Sequence, residues 1–231
     1  MKLRLFKNGY HAILNILGLL FLCYLAGEWA STRSATTNPG VGGERVKIES
    51  RSLTLTAVFA ALYVVLNVLQ MVSVGNPTVY GPIQLRVADC LIALVALFGW
   101  PAVGGVTLGC FIVNAYYFLG VQDVIFGPIA NLIAACIILL LHRHRFIGCI
   151  AGALPIGLMV GAYLSIFFPF LTPPEVLSVL PAIAAMIVSL TISSLIAIAG
   201  IGYLLLTVIS RPSILGPLES RGLKTTLKRK G

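Results

Sequence analysis

Gly81-Pro-Ile-Gln-Leu-Arg86-Val-Ala-Asp89-Cys-Leu91 decides how this chain folds, because it sets a cation and an acid in a segment that is otherwise apolar. Across residues 52–141 the charged side chains are Arg86, Asp89 and Asp123 alone. One ionisable group at the depth of a bilayer costs roughly 2.5–3.5 kcal/mol, so such groups are usually kept for a specific task rather than for stability. We therefore predict that this stretch crosses a membrane and builds a polar site there.

The composition of the whole chain also predicts a membrane protein. Of its 231 residues, 58% are hydrophobic and 10% are charged, whereas soluble domains are about 45–50% apolar and about 25% charged. A helix satisfies its own backbone hydrogen bonds in lipid, and the short alternating segments of a membrane β-barrel do not occur in this sequence. The predicted fold class is an all-α integral membrane protein, multi-pass in the cell membrane.

Six core transmembrane helices are predicted from the apolar segments and from the Gly and Pro residues between them. Their ranges are 53–74, 85–99, 101–119, 123–142, 146–170 and 178–209. The last range is long for one span, so its first part, near Pro181, is predicted to be tilted or to lie along the interface. Residues 46–212 then form the membrane domain, and residues 213–231 form a basic cytoplasmic tail.

Residues 1–45 form a hydrophobic segment and a polar linker whose role stays open. They fit a signal peptide, an extra N-terminal helix, or a mis-assigned start. Gly42-Gly43-Glu44 can be encoded by a ribosome-binding sequence, and Val46 can be a GTG start codon. The hypothesis that translation begins at Val46 predicts an intact mass without any earlier residue, and the mass of the natively expressed protein checks it.

Positive charge predicts the orientation of the bundle, because Lys and Arg collect on the cytoplasmic side. With six spans, three basic clusters fall on one side. The polar site then lies towards the outer half of the membrane. The net charge of +9 reflects this topology and attraction to anionic lipid rather than a nucleic-acid partner. The clusters are Arg45, Lys47 and Arg51 before the first helix, Arg143 and Arg145 in the fourth loop, and Arg211, Arg221, Lys224, Lys228, Arg229 and Lys230 after the last helix.

Three segments carry a family resemblance. The quoted stretch, Leu108-Gly-Cys-Phe-Ile-Val-Asn114 and Asp123-Val-Ile-Phe-Gly127-Pro-Ile-Ala130 together resemble the queuosine-precursor transporter (QueT-type) family, over about residues 46–210. Its members are the substrate-binding S components of energy-coupling-factor (ECF) importers. The resemblance implies a six-helix transmembrane bundle of the ECF S-component type that works with a membrane coupling subunit and two ATPase subunits.

The resemblance also implies a small-molecule substrate, a 7-deazapurine or another micronutrient. The predicted binding residues are two acids, a cation, amides and a tyrosine, which suit the donors, acceptors and flat ring of such a ligand. They are Arg86, Asp89, Asn114, Asp123, Gln84, Tyr117 and Asn131, with Tyr80 and Tyr116 as further rings.

Structural roles remain alternatives for the charged residues. Arg86 and Asp89 are three apart and could form an ion pair on one helix face, and Asp123 could cap the fourth helix. The chain also departs from the family. It has Arg86-Val-Ala-Asp89 where members usually read Arg-hydrophobic-Ser-Glu, and Ser189-Leu-Thr-Ile-Ser-Ser194 has no acid where members usually carry a Gly-Glu pair. Both departures bear on substrate identity.

The predicted contact with the coupling subunit is a small-xxx-small face on the first helix, Ala57-Val-Phe-Ala-Ala61, where small residues permit close helix approach. The pairs Gly105 and Gly109, Gly148 and Gly152, and Gly157 and Gly161 have the same form and can serve internal packing.

The chemistry predicted for this chain is binding rather than catalysis, with no cofactor and no metal. The sequence lacks a phosphate loop, a G-x-S-x-G elbow and an H-E-x-x-H motif, so ATP must be hydrolysed by other polypeptides. Its five cysteines are dispersed in apolar segments, and His142 and His144 alternate with arginines that would repel a metal ion. An S component for another vitamin and a stand-alone secondary transporter remain alternatives; the latter commonly shows an inverted repeat, which is not visible here.

Overall fold

Helices make up nearly all of the described chain. The computed structural model describes residues 50–74, 85–168, 181–220 and 225–226, and these ranges contain no β-strand. The predicted N-terminal segment 1–45, Tyr80 and Gln84 in the first loop, the fifth loop and every Lys and Arg of the predicted tail lie outside the described residues. A compact unit extends from Leu55 to Gly231.

Each of the six predicted core segments contains a helix whose ends differ from the prediction by a few residues. A further helix of the described chain, α7, begins at Pro212, the last residue of the predicted membrane domain, and continues into the predicted tail. The helices are α1 Ser50–Val74, α2 Val87–Phe98, α3 Trp100–Tyr117, α4 Val121–Leu140, α5 Arg145–Phe167, α6, which runs as an α-helix over Ala182–Ser194, as a π-helix over Leu195–Gly202 and again as an α-helix over Tyr203–Ile209, and α7 Pro212–Ser220.

Four of these helices are long and apolar enough to cross a membrane: α1, α4, α5 and α6. Helix α2 is too short to do so alone, and α3, with 18 residues, is not one of the four. The prediction of membrane-spanning helices is thus confirmed for four of the six segments. The residues of α2 from Ala88 to Leu97 are all buried, so protein rather than lipid surrounds this helix.

Glycines bring the helices together at the pairs that the sequence indicated. A Cβ on Gly105 would lie 2.4 Å from Phe59 Cβ, and one on Gly109 would lie 2.7 Å from Tyr63 Cβ, so both glycines let α3 contact α1. Gly152 packs in the same way against Ile138 of α4, and Gly161 packs against Ile187 of α6. Because lipid supplies little hydrophobic drive between helices, such close approach is a main source of their association.

Contacts at the end of the bundle where α4 meets α5 join segments far apart in sequence. Arg145 Nη1 donates to Ser210 Oγ at 2.8 Å, which links the start of α5 to the end of α6. Thr226 N donates to Leu97 O at 2.9 Å, and the Thr226 hydroxyl also donates to the last carbonyls of α2. The tail therefore satisfies backbone acceptors that a helix end leaves open.

Gly105→Ala should destabilise the protein because its new methyl would meet Phe59 and the backbone of Thr56. Overpacking typically costs about 1–3 kcal/mol, which lowers the melting temperature by several degrees. Gly216→Ala in α7 is the matched control, since no atom lies within 4 Å of its added Cβ. Melting curves in detergent measure both, and equal temperatures for the two variants would contradict the close α1–α3 contact.

Candidate functional site

The segment that enters α2 is tied to α1 by one amide side chain. Gln70 Oε1 accepts a hydrogen bond from Val87 N at 2.9 Å, and Gln70 Nε2 donates to Leu85 O. This clamp holds Arg86 in an extended backbone conformation, with φ −94° and ψ 103°, immediately before the first helical turn. The prediction that placed Arg86 within the helix is therefore wrong by one residue.

This position decides what Arg86 contacts. Because Arg86 precedes the helix, its side chain does not share a helical face with Asp89, and the two form no ion pair in the described chain. The guanidinium group instead donates to Asn114 Oδ1 at 3.1 Å and lies 4.0 Å from Cys110 Sγ, both on α3. The alternative of a local ion pair is thus replaced by a contact between helices.

Arg86 belongs to an upper layer of polar residues that joins α2, α3, α4 and α5. Asn114 Nδ2 donates to Asp123 O at 2.9 Å, and the Tyr163 hydroxyl donates to Asp123 Oδ1 at 2.6 Å. Asp123 is 4% exposed. The residue that caps α4 is Gly120, so the alternative of Asp123 as the N-cap is wrong; its carboxylate serves a contact with α5.

Gly127 makes room for this layer. A Cβ at this position would lie 2.3 Å from Asn114 Nδ2 and 3.8 Å from the Tyr163 hydroxyl. Any larger residue would push the Asn114 amide away from both of its partners. The absence of a side chain at Gly127 is therefore needed here, because it lets the α4 backbone approach the Asn114 amide.

A lower layer lies deeper in the bundle and joins α1, α2 and α4. The Tyr63 hydroxyl donates to Asp89 Oδ1 at 2.6 Å, and Asn131 Nδ2 donates to the Tyr63 hydroxyl at 3.0 Å. Asp89 and Asn131 are 3% and 2% exposed, and Tyr63 is fully buried. Asn131 lies ten residues into α4, or about 15 Å along the helix axis, so this layer lies well below the Arg86 end of the bundle.

A small cavity adjoins the two layers between α2, α4, α5 and α6. Its polar lining comes from Arg86, Asp89, Asn131, Ser193 and Ser194, while α5 contributes aliphatic side chains. The cavity volume is about 20 Å³, which is room for about one water molecule. Asp89 Oδ2 makes no hydrogen bond within the described residues, and the same holds for Asp123 Oδ2. Each acid therefore keeps an acceptor for another group.

The structure brings most of the predicted site residues together. Arg86, Asp89, Asn114, Asp123 and Asn131 form the two layers, whereas Gln84 lies outside the described residues. Tyr117 does not join the layers; its ring makes an edge contact with Tyr116 at 5.0 Å between centroids. Whether any of these side chains binds a substrate stays a prediction.

Sequence reasoning missed the tyrosines that support the acids, Tyr63 and Tyr163, as well as Gln70, Ser193 and Ser194. One signal was available on α1. Tyr63, Asn67 and Gln70 follow a spacing of four and then three, which places them on one helical face, and this face is the polar stripe of an otherwise apolar helix. No comparable spacing marks Tyr163.

Tyr163→Phe should lower stability because it removes a donor from the buried carboxylate of Asp123. Hydrogen bonds to charged groups contribute about 1.5–3 kcal/mol, so we expect a lower melting temperature by several degrees. Tyr203→Phe is the control, because Tyr203 makes a ring contact with Phe146 but no hydroxyl hydrogen bond within the described residues. If the Tyr163→Phe and Tyr203→Phe proteins have the same melting temperature, the protein's stability does not depend on the hydrogen bond from Tyr163 to Asp123.

A comparison of the sequence with known protein families gives a match. Residues 53–211 match the QueT transporter family, a range that covers well over half of the chain and every residue of the two polar layers. No curated protein and no solved structure gives a significant match. With its membrane-spanning helices and its buried acids, the chain belongs to the QueT transporter family.

Proposed function

We propose that the protein is the substrate-binding S component of an ECF importer and that it captures a queuosine precursor or related 7-deazapurine at the outer face of the cell membrane. The observation that supports this most is the pair of buried carboxylates, each held by a tyrosine and each with one oxygen unpartnered in the described chain. Buried acids are costly in a membrane protein, and a ligand that needs acceptors repays that cost.

The chemistry of the layers suits such a ligand. A 7-deazaguanine presents ring and exocyclic N–H donors on its amino-pyrimidinone edge, and a carboxylate can accept two of them. Asn114 and Arg86 add donors for a ring carbonyl. The tyrosine hydroxyls fix the acids in place before the ligand arrives, which lowers the ordering cost of binding.

Orientation supports uptake from outside. Arg143, Arg145 and Arg211 lie at the α4–α5 turn and after α6, and the contact of Arg145 with Ser210 joins these regions at one end. The Arg86 layer lies at the other ends of the same helices. If positive charge marks the cytoplasm, the polar layers face outward.

Coupling to other subunits would use α1. Ala57 and Ala61 are exposed, whereas Ala60 between them is buried against α3. The predicted small-residue face is thus directed away from the bundle, where a membrane coupling subunit can reach it. Two ATPase subunits would supply the energy.

Two other functions account for part of these observations. An S component for another vitamin could use the same acids and amides, and a stand-alone secondary transporter could use Asp89 and Asp123 for ion coupling. Copurification separates these classes, since only an ECF component should bring down a coupling protein and ATPases. Mass spectrometry of any small molecule that remains bound identifies the substrate.

Asp89→Asn and Asp123→Asn should each weaken binding of a 7-deazaguanine about tenfold or more. Each change keeps the size of the side chain but presents a donor to the ligand's own donors. Arg86→Gln should do the same if Arg86 meets the ring carbonyl or orients Asn114 for the ligand; with a purely structural role it should lower the melting temperature at little changed affinity. Titration and melting of all three variants measure these effects, and three unaltered affinities would remove the proposed site.

Ala57→Leu combined with Ala61→Leu should hold α1 away from the coupling subunit by about one side-chain layer. We expect weaker copurification of that subunit with substrate affinity unchanged. Thr207→Leu is the control, because it adds a similar side chain to an exposed position on α6. Full recovery of the coupling subunit with the double variant would exclude this face from the interface.

A further inference from the structure

The wall that α6 contributes to the cavity consists, among the described residues, of Leu190 and two serines and carries no charge. Ser193 and Ser194 line it, and both are buried, at 2% and 3% exposure. They directly precede the π-helical segment Leu195–Gly202, and π-helical turns often occur at functional sites. A Cβ on Gly202 would lie 2.7 Å from Cys90 O, so this segment packs closely against α2, the helix that carries Asp89.

The two serines differ in what their hydroxyls do. Ser193 Oγ donates to Ser189 O at 2.9 Å, the usual bond of a serine to its own helix. Ser194 Oγ has no hydrogen-bond partner among the described residues. Among the described residues, the fully enclosed side-chain oxygen without a hydrogen-bond partner is Thr107 Oγ1. Ser194 Oγ also lacks a partner, so it is not fully enclosed. The Ser194 hydroxyl therefore opens onto the cavity, where it can donate or accept.

Among the described residues, the charges of the cavity lining cancel. Arg86 and Asp89 are the charged residues of this described lining, one of each sign, and Asp123 does not belong to it. A cation in this cavity would be attracted by Asp89 but repelled by Arg86, and it would meet no second acid on the described part of α6. A buried charge needs full pairing to offset its desolvation, whereas an uncharged polar group needs only a hydrogen bond. The cavity thus favours a neutral group.

The size of the cavity limits what enters. Its volume of about 20 Å³ accommodates a water-sized group and is too small for a fused ring. If the ring lies among the acids and amides, the cavity can take a short substituent that projects from it.

Resting on the proposed function, we propose that this cavity receives the 7-substituent of the 7-deazapurine and selects an uncharged polar substituent over a cationic one. Ser194 is the specificity-determining residue, because its hydroxyl can donate to a neutral acceptor such as a nitrile and offers no countercharge to an amine.

Two ligands with the same ring test this selection. Titrations of the purified full chain in detergent with 7-cyano-7-deazaguanine and 7-aminomethyl-7-deazaguanine compare a neutral with a cationic substituent. We expect the 7-cyano compound to bind at least about tenfold more tightly than the 7-aminomethyl compound. Equal or tighter binding of the aminomethyl compound by the unaltered protein would overturn the inference and leave the proposed function standing. If neither compound binds, the proposed function fails, and the inference fails with it.

Variants at Ser194 test the residue itself. Ser194→Ala should weaken nitrile binding about twofold to tenfold and leave aminomethyl binding unchanged. Ser194→Glu should reverse the preference, since it supplies the missing countercharge. Ser165→Ala is the matched control, because Ser165 is also buried but donates to Ala162 O and does not line the cavity. A Ser194→Ala protein with the nitrile affinity of the control would overturn the role of Ser194, whether or not Ser194→Glu folds.

Discussion

The fixation of two carboxylates inside an apolar helical bundle is the constraint on which the other features depend. A carboxylate away from water needs donors, and each acid receives one from a tyrosine on another helix, at 2.6 Å in both cases. These bonds join α1 to α2 and α5 to α4. The acids therefore hold the helices in register, and the second oxygen of each acid has no hydrogen-bond partner among the described residues.

Helix α2 is the element through which this constraint acts on the whole bundle. It is short and buried along its length, so its position is set by its ends and by close packing. At one end Gln70 fixes the backbone on both sides of Arg86. At the other end Thr226 bonds to the carbonyl of Leu97, and Gly99 adopts a positive φ of 69° that lets the chain turn into α3. Because both ends are held, Asp89 has a fixed place beside the cavity.

The two polar layers differ in a way that bears on selectivity. The upper layer carries Arg86 and Asp123 and includes donors that a flat ring can meet, whereas the cavity beside the lower layer is small and electrically balanced. Its α6 wall offers the hydroxyl groups of Ser193 and Ser194 and no charge among the described residues. Hydroxyl groups can form hydrogen bonds, but they supply no countercharge.

The sequence by itself determined the helical membrane character, the approximate ends of the core helices and five residues of the polar layers, because apolar spans and rare charges are local properties of the chain. It also indicated that glycine pairs pack helices. It could not show that Arg86 precedes α2, because a sequence pattern does not define the first residue of a helix to within one or two positions. Only the tertiary structure decided that Arg86 contacts Asn114 rather than Asp89, that Tyr63 and Tyr163 support the acids, and that Ser194 faces the cavity. The hydrogen bonds of Arg86, Tyr63 and Tyr163 join residues 26 to 40 positions apart. They form only when the helices are packed, so no spacing along the chain encodes them.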